Sequence, residues 1–138
     1  MLNINAELLP GKAGAGIELG QLLSAIHDLA HANTISERIN CRVLQYGSIW
    51  LFESNGVVNQ VCVFAGYRGK VAGTIGITST IADVEAFLGQ VVDYEGVCFG
   101  VASMPGWCFE VEKGLSMTDA GWLNAQLKSI CIYKEDAE

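Results

Sequence analysis

Apolar and polar positions alternate through two stretches of the chain, and this period of two predicts antiparallel strands in both. In the first stretch an Asn55-Gly56 turn closes a hairpin, and the predicted strands are Cys41 to Gln45, Ser48 to Ser54 and Val57 to Phe64. In the second stretch Met104-Pro105-Gly106 predicts a corner, and the predicted strands are Val97 to Ala102, Trp107 to Glu112 and Leu127 to Lys134. Residues 115–126 predict a loop with a short helix.

A short strand and an amphipathic helix are predicted before each of these stretches. The strands are Gly16 to Leu19 and Gly73 to Ile77. The second helix has the clearer signals, because Thr80 and Asp83 are spaced as in a capping box and Gly89 supplies a stop. Its apolar stripe is formed by positions 81, 84, 87 and 88, and that of the first helix by positions 19, 22, 23, 26, 29 and 30.

The two stretches align with each other, which predicts an internal duplication. Residues 16–29 match residues 74–87 at an offset of 58 (74 − 16), and an offset of 57 pairs Cys41 with Cys98 and Trp50 with Trp107. We therefore expect one α+β domain over residues 1–138, with repeat units at about 8–66 and 67–134. Each unit is a strand, a helix and three strands, giving an antiparallel sheet with two helices on one face.

Composition is consistent with one soluble core. The chain has 138 residues, of which 51% are hydrophobic and 17% charged. We expect no targeting segment in residues 1–9 and no membrane span, since no apolar run is long enough. Its five cysteines lie in apolar stretches without CxxC spacing. We expect buried free thiols and a cytoplasmic location.

The charge is acidic and unevenly distributed. Eight basic and fifteen acidic side chains give a net charge of −7, which disfavours nucleic acid and anionic membranes and favours a basic partner. Between Val71 and Glu112 there are six acids and no Lys or Arg. The alternative interpretation of this stretch is an acidic surface that maintains solubility.

Two motifs are candidates for chemistry, and each has a simpler explanation. His27 and His31 share a helix face in the order H-D-x-x-H, which resembles a zinc-hydrolase motif. They are the only histidines of the chain, so the simpler interpretation is a helix end with cationic His. The glycines between Gly11 and Gly16 match neither a phosphate loop nor a dinucleotide fingerprint and predict a turn. We expect no catalytic residue, no metal and no cofactor.

Side chains of the predicted sheet leave two further alternatives open. Glu110 and Glu112 are expected on one strand face, where they suit either acid-base chemistry or, more simply, solvation. Tyr94, Trp107 and Trp122 are candidates for interface anchors, and the competing interpretation places these rings in the core.

Several segments resemble small bacterial immunity proteins of contact-dependent inhibition and related polymorphic toxin systems. The resemblance covers about residues 8–133 and rests on Leu9-Pro10-Gly11 with residues 16–20, residues 75–84, and residues 105–110. It implies a cytoplasmic protein that binds and neutralises one cognate toxin C-terminal domain, often a basic nuclease, by blocking its active site or substrate groove. It also implies a partner that adds a hairpin to a sheet edge.

The acidic stretch supplies the expected partner-binding residues, which are Asp83, Glu85, Asp93, Tyr94, Glu95, Glu110 and Glu112. Two other functions stay open at this point. One is a small metal-dependent hydrolase that uses His27 and His31, and the other is a non-catalytic ligand-binding module.

Overall fold

The computed structural model of the protein describes residues 2–26, 34–37, 41–112 and 114–134, and of residues 34–36 it describes only the backbone. Within these ranges two 3-10 turns, Leu23–Ala25 and Trp122–Asn124, accompany the regular elements. Those elements are β1 (Ala13–Gly14), β2 (Ile17–Glu18), β3 (Thr34–Glu37), β4 (Arg42–Tyr46), β5 (Ile49–Ser54), β6 (Val57–Val63), α1 (Ile81–Phe87), β7 (Val91–Tyr94), β8 (Cys98–Val101), β9 (Met104–Glu110) and β10 (Ser129–Tyr133). Among these residues no helix is long and apolar enough to cross a membrane.

Eight of the strands form one antiparallel sheet in the order β3-β4-β5-β6-β10-β9-β8-β7, and β1 and β2 form a separate hairpin. The predicted α+β class and its antiparallel sheet are therefore confirmed. Residues 34–63 make one four-stranded meander, and the strands between residues 91 and 133 make another. The two meanders meet where β6 pairs with β10, so the strands of both predicted units belong to one continuous sheet.

The strand predictions differ from the structure at several places. β3 and β7 were not predicted, although each closes one edge of the sheet. Met104, Pro105 and Gly106 belong to β9, because the turn lies earlier, where Val101 pairs with Met104 across Ala102 and Ser103. The predicted strand Gly73 to Ile77 is a turn closed by hydrogen bonds between Val71 and Ile75.

The second predicted helix is confirmed as α1. The Thr80 hydroxyl accepts the backbone N–H of Asp83, and the Asp83 carboxylate accepts the backbone N–H of Thr80, which completes the capping box. Gly89 follows with a φ of +128°, a conformation that glycine adopts without steric cost. Of the predicted apolar stripe, Ile81 and Val84 are buried, whereas Phe87 is 62% exposed.

The first predicted helix is wrong over the part that the structure describes. Residues 20–26 contain only the 3-10 turn Leu23–Ala25, and the remaining predicted helical positions lie outside the described residues. The backbone N–H groups of Gly20 and Leu23 donate to the carbonyls of Val58 and Gly56. These bonds hold the segment against β6 and replace the hydrogen bonds of a helix. Among the described residues, α1 is therefore the one α-helix, and two helices on one face are not observed.

One face of the sheet carries the hydrophobic core. The register places Leu44, Leu51, Val61, Ile132 and Trp107 in a row across five neighbouring strands, and all five side chains are fully buried. Helix α1, the β1–β2 hairpin and the Trp122–Asn124 turn contribute to the same core. The opposite face has none of these covering elements in the described part of the chain.

Candidate functional site

The two expected binding residues on α1 are engaged in local structure. Asp83 completes the capping box, and Oε2 of Glu85 accepts the backbone N–H of Val91 at 3.4 Å. Both carboxylates therefore help to fix how the helix begins and how the chain enters β7. This arrangement places them beside the core face of the sheet, apart from the other five expected residues.

Asp93, Tyr94 and Glu95 form the end of β7 and its turn into β8. Oδ1 of Asp93 accepts the backbone N–H of Gly96 at 2.8 Å, and Glu95 has a φ of +57°. The ring of Tyr94 packs where a side chain at Gly100 would otherwise lie. The turn thus exposes Asp93 and Glu95 at one end of the sheet.

Glu110 and Glu112 lie at the same end of the sheet. Both are exposed, and together with Val97 and Lys128 they line a cavity of about 310 Å³. Oε1 of Glu110 accepts the hydroxyl of the buried Ser129 at 2.9 Å. The strand β9 ends at Glu110, so the expectation that Glu112 shares its strand face is wrong. We call Asp93, Glu95, Glu110 and Glu112 the acidic end.

The sheet face opposite the core is apolar, and sequence reasoning did not single it out. Cross-strand pairing places Trp50, Cys62, Cys131 and Cys108 in one row over β5, β6, β10 and β9. Trp50 and Phe64 stack with their ring centroids 4.5 Å apart. We call this surface the outer face, and it consists of Trp50, Phe52, Cys62, Phe64, Cys108 and Cys131, which line a cavity of about 550 Å³.

Two of the five cysteines form a disulfide, so the expectation of free thiols is wrong for them. Cys62 and Cys131 are directly paired on β6 and β10, and their Cα atoms are 4.1 Å apart. Sequence spacing gave no sign of this pair, because 69 positions separate the two residues. Cys41, Cys98 and Cys108 are free thiols, of which Cys108 alone is buried.

The thiols of Cys98 and Cys108 are neighbours at the border between the outer face and the acidic end, where both residues line the cavity of the outer face. Burial raises the pKa of Cys98, and the negative charges of Glu110 and Asp93 raise it further. Burial also raises the pKa of Cys108, and the neighbouring Cys98 and Glu110 act in the same direction. Both thiols are therefore neutral at physiological pH and add to the apolar character of this surface.

The three aromatic residues considered as interface anchors have different positions. Trp107 is fully buried and Trp122 is 5% exposed, and the ring of Trp122 packs 4.8 Å from that of Phe99. These two are core residues, as the competing interpretation held. Tyr94 lies beside the acidic end. The partly exposed tryptophan is Trp50, and the unbroken apolar run Ile49 to Phe52 was the signal that β5 is apolar on both faces.

The metal hypothesis falls on residues that the structure does not describe. His27 and His31 both lie outside the described ranges. Within those ranges no group of three His, Cys, Asp or Glu side chains has the geometry to hold a metal ion.

We compared the chain with protein-family models, with curated proteins and with solved structures, and none of them matches it. The described surface of the sheet joins an apolar outer face to an acidic end.

Proposed function

We propose that the protein is an immunity protein that binds a cognate toxin C-terminal domain, a basic nuclease, and blocks its active site or substrate groove. The observation that supports this most is the acidic end. Glu110 and Glu112 line one cavity, and the β7–β8 turn, whose Gly96 and Val97 line the same cavity, carries the exposed Asp93 and Glu95. The expected contacts are Asp93, Tyr94, Glu95, Glu110 and Glu112, with Asp83 and Glu85 as outer contributors.

The physical reasoning links charge to inhibition. A nuclease binds polyanionic substrate through Lys and Arg side chains, so a negatively charged surface competes for the same groups. Complementary charge also accelerates encounter with the correct partner and repels acidic proteins. The net charge of −7 supports this assignment, since it acts over the whole molecule.

The test is a binding measurement with the C-terminal domain of the protein encoded by the adjacent upstream gene. We expect a one-to-one complex by isothermal titration whose affinity falls as salt is raised. Replacing Glu110 and Glu112 together by Lys is expected to weaken binding roughly tenfold or more. The control replaces Glu7 and Glu18 by Lys, which changes the net charge equally at exposed or partly exposed positions outside the acidic end. Unchanged affinity in the Glu110 and Glu112 variant would refute this contact set.

A cytoplasmic location is part of the proposal. Thiol reductants keep most cytoplasmic cysteines reduced. In that compartment we therefore expect Cys62 and Cys131 to be two free thiols, unless the sheet protects their disulfide from reduction. Rapid alkylation of lysed cells followed by mass measurement of the protein distinguishes the two forms.

We also propose that the two halves of the sheet arose by internal duplication. The two meanders support this, because each contributes four strands in chain order from the edge of the sheet to its centre. The central strands of the halves, β6 and β10, pair antiparallel and place Cys62 opposite Cys131, and these two residues also align when residues 61–64 are matched with residues 130–133. Separate expression of residues 67–134 tests whether the second unit has retained the capacity to fold or to pair with the first.

A further inference from the structure

A continuous groove connects the outer face with the acidic end. The cavity on the outer face and the cavity between Glu110 and Glu112 share three lining residues, which are Val97, Glu110 and Lys128. The contacting rings of Trp50 and Phe64 therefore form one end of the groove, and the carboxylates of Glu110 and Glu112 form the other end. A molecule that fills the groove contacts both kinds of surface at once.

The apolar part of the groove has the features of a binding anchor. Val97 is 75% exposed although it lines the groove, and Trp50 and Phe64 are partly exposed with their rings in contact. Interfaces gain most of their affinity from large rings that pack beside buried apolar groups. Binding removes much apolar ring surface from water and costs little side-chain conformational entropy.

The charges around the groove indicate which charged group of a partner fits beside its apolar side chain. Among the described residues, Lys128 is the one base that lines the two cavities, against the acids Glu110 and Glu112. The β7–β8 turn, whose Gly96 and Val97 line the groove, adds the exposed acids Asp93 and Glu95. This balance favours a cationic side chain over an anionic or a purely apolar occupant.

The strand order sets the spacing of these two contacts. Phe64 follows β6 and Glu110 ends β9, and β10 lies between these strands. Phe64 and Glu110 are therefore two strand separations apart, or roughly 10 Å. A partner segment can span this distance when an aromatic or aliphatic side chain is followed two or three residues later by Lys or Arg.

We propose that this groove binds a segment of a partner protein in which an apolar side chain is followed by Lys or Arg. The apolar side chain packs on Trp50 and Phe64, and the cation contacts Glu110 and its acidic neighbours. Identifying that partner with the toxin domain rests on the function proposed above. The groove itself rests on its lining residues.

Two probes test the groove separately from the function. The first is the upstream-encoded toxin domain, and the second is a synthetic peptide of alternating leucine and lysine, with a leucine and glutamate peptide of equal length as its control. Trp107 and Trp122 are buried, so acrylamide quenching of tryptophan fluorescence reports mainly on Trp50. We expect both basic probes to protect Trp50 from quenching and the acidic peptide to leave it unprotected.

A matched pair of variants locates the contact. Val97→Lys places a cation in the groove at an exposed position, so the fold is retained, and it is expected to weaken binding of both basic probes roughly tenfold or more. Phe87→Lys makes the same kind of change at a side chain that is 62% exposed on α1, away from the groove. We expect its affinities to remain within about twofold of those of the unaltered protein, as for surface positions outside an interface.

The outcomes separate the two proposals. Toxin binding that leaves Trp50 unprotected and is insensitive to Val97→Lys overturns the groove and retains the immunity function. Binding of the basic peptide in the groove without toxin binding retains the groove and overturns the function. Failure of both probes overturns both, and concentration-dependent protection of Trp50 without any probe assigns the groove to a second copy of the chain and also overturns this proposal.

Discussion

Gly106 is a residue whose identity is dictated by a contact between β9 and the distant N-terminal turn. Its backbone has a φ of +93°, and its carbonyl accepts the N–H of Gly11 at 2.9 Å. A Cβ at Gly106 would lie 2.5 Å from the backbone nitrogen of Gly11. The two Pro-Gly pairs of the sequence therefore meet in space, and they join the N-terminal turn to β9.

We predict that Gly106→Ala destabilises the protein more than Gly20→Ala does. Both glycines have φ near +90°, so both variants incur the cost of about 1–2 kcal/mol of a left-handed residue. At Gly20 a Cβ would meet nothing within 4 Å. At Gly106 the collision with the Gly11 backbone adds about 1–3 kcal/mol. Urea denaturation measures the difference, and equal losses for the two variants would contradict the close contact.

For some residues of the candidate site the sequence predicts that they belong to it, and for others it does not. The acids at Glu110 and Glu112 were found from charge alone, because a run without Lys or Arg can be read directly. Trp50 was assigned to a strand without recognition that it lies on the face opposite the core. Alternation predicts which side chains share a face, but it does not predict which face the remaining elements cover.

At the scale of elements, the helix set by local signals was predicted correctly, and a segment set by long-range contacts was not. Helix α1 was predicted correctly because the interactions that start and stop it lie within residues 80–89. The segment before β3 has a comparable apolar period, but its backbone hydrogen bonds go to Gly56 and Val58. Those partners are more than thirty residues away along the chain, and tertiary contact of this kind overrides local propensity.

We predict that Thr80→Ala destabilises α1 and the protein by about 1 kcal/mol, since it removes the hydroxyl that accepts the Asp83 N–H. Thr80→Ser keeps that hydroxyl and serves as the matched control. The urea midpoint is expected to fall for the alanine variant with an unchanged slope. A serine variant as unstable as the alanine variant would show that the Thr80 methyl group, not the cap, carries the effect.

At the scale of the whole molecule, the order of the strands is what sequence patterns could not predict. Periodicity identifies strands and turns predict neighbouring hairpins, but the pairing of β6 with β10 joins residues about seventy positions apart. The same pairing creates the outer face, because it brings Cys62 beside Cys131 and places β10 between β6 and β9. Burial and function at this surface are therefore properties of the assembled sheet.

The seam between β6 and β10 gives a prediction for the stability of the whole sheet. Four residue pairs join these strands, and the disulfide between Cys62 and Cys131 crosslinks them. A crosslink across 69 positions restricts the unfolded chain, and its loss is expected to cost about 2–4 kcal/mol. We predict this loss for the double variant Cys62→Ala and Cys131→Ala, and for the unaltered protein after addition of a thiol reductant.

The reductant provides the control that separates the crosslink from the packing of the two side chains. The double variant has no crosslink at the seam, so its urea midpoint is expected to be the same with and without reductant. Cys41→Ala retains the pair and is expected to respond to reductant as the unaltered protein does. Mass measurement shows whether Cys62 and Cys131 are both reduced. If the unaltered protein then kept its full stability, the hydrogen bonds between β6 and β10 and the hydrophobic core would suffice to hold the two meanders together. An immunity protein would then keep its binding surface intact in a reducing compartment, because the outer face would survive the opening of its central disulfide.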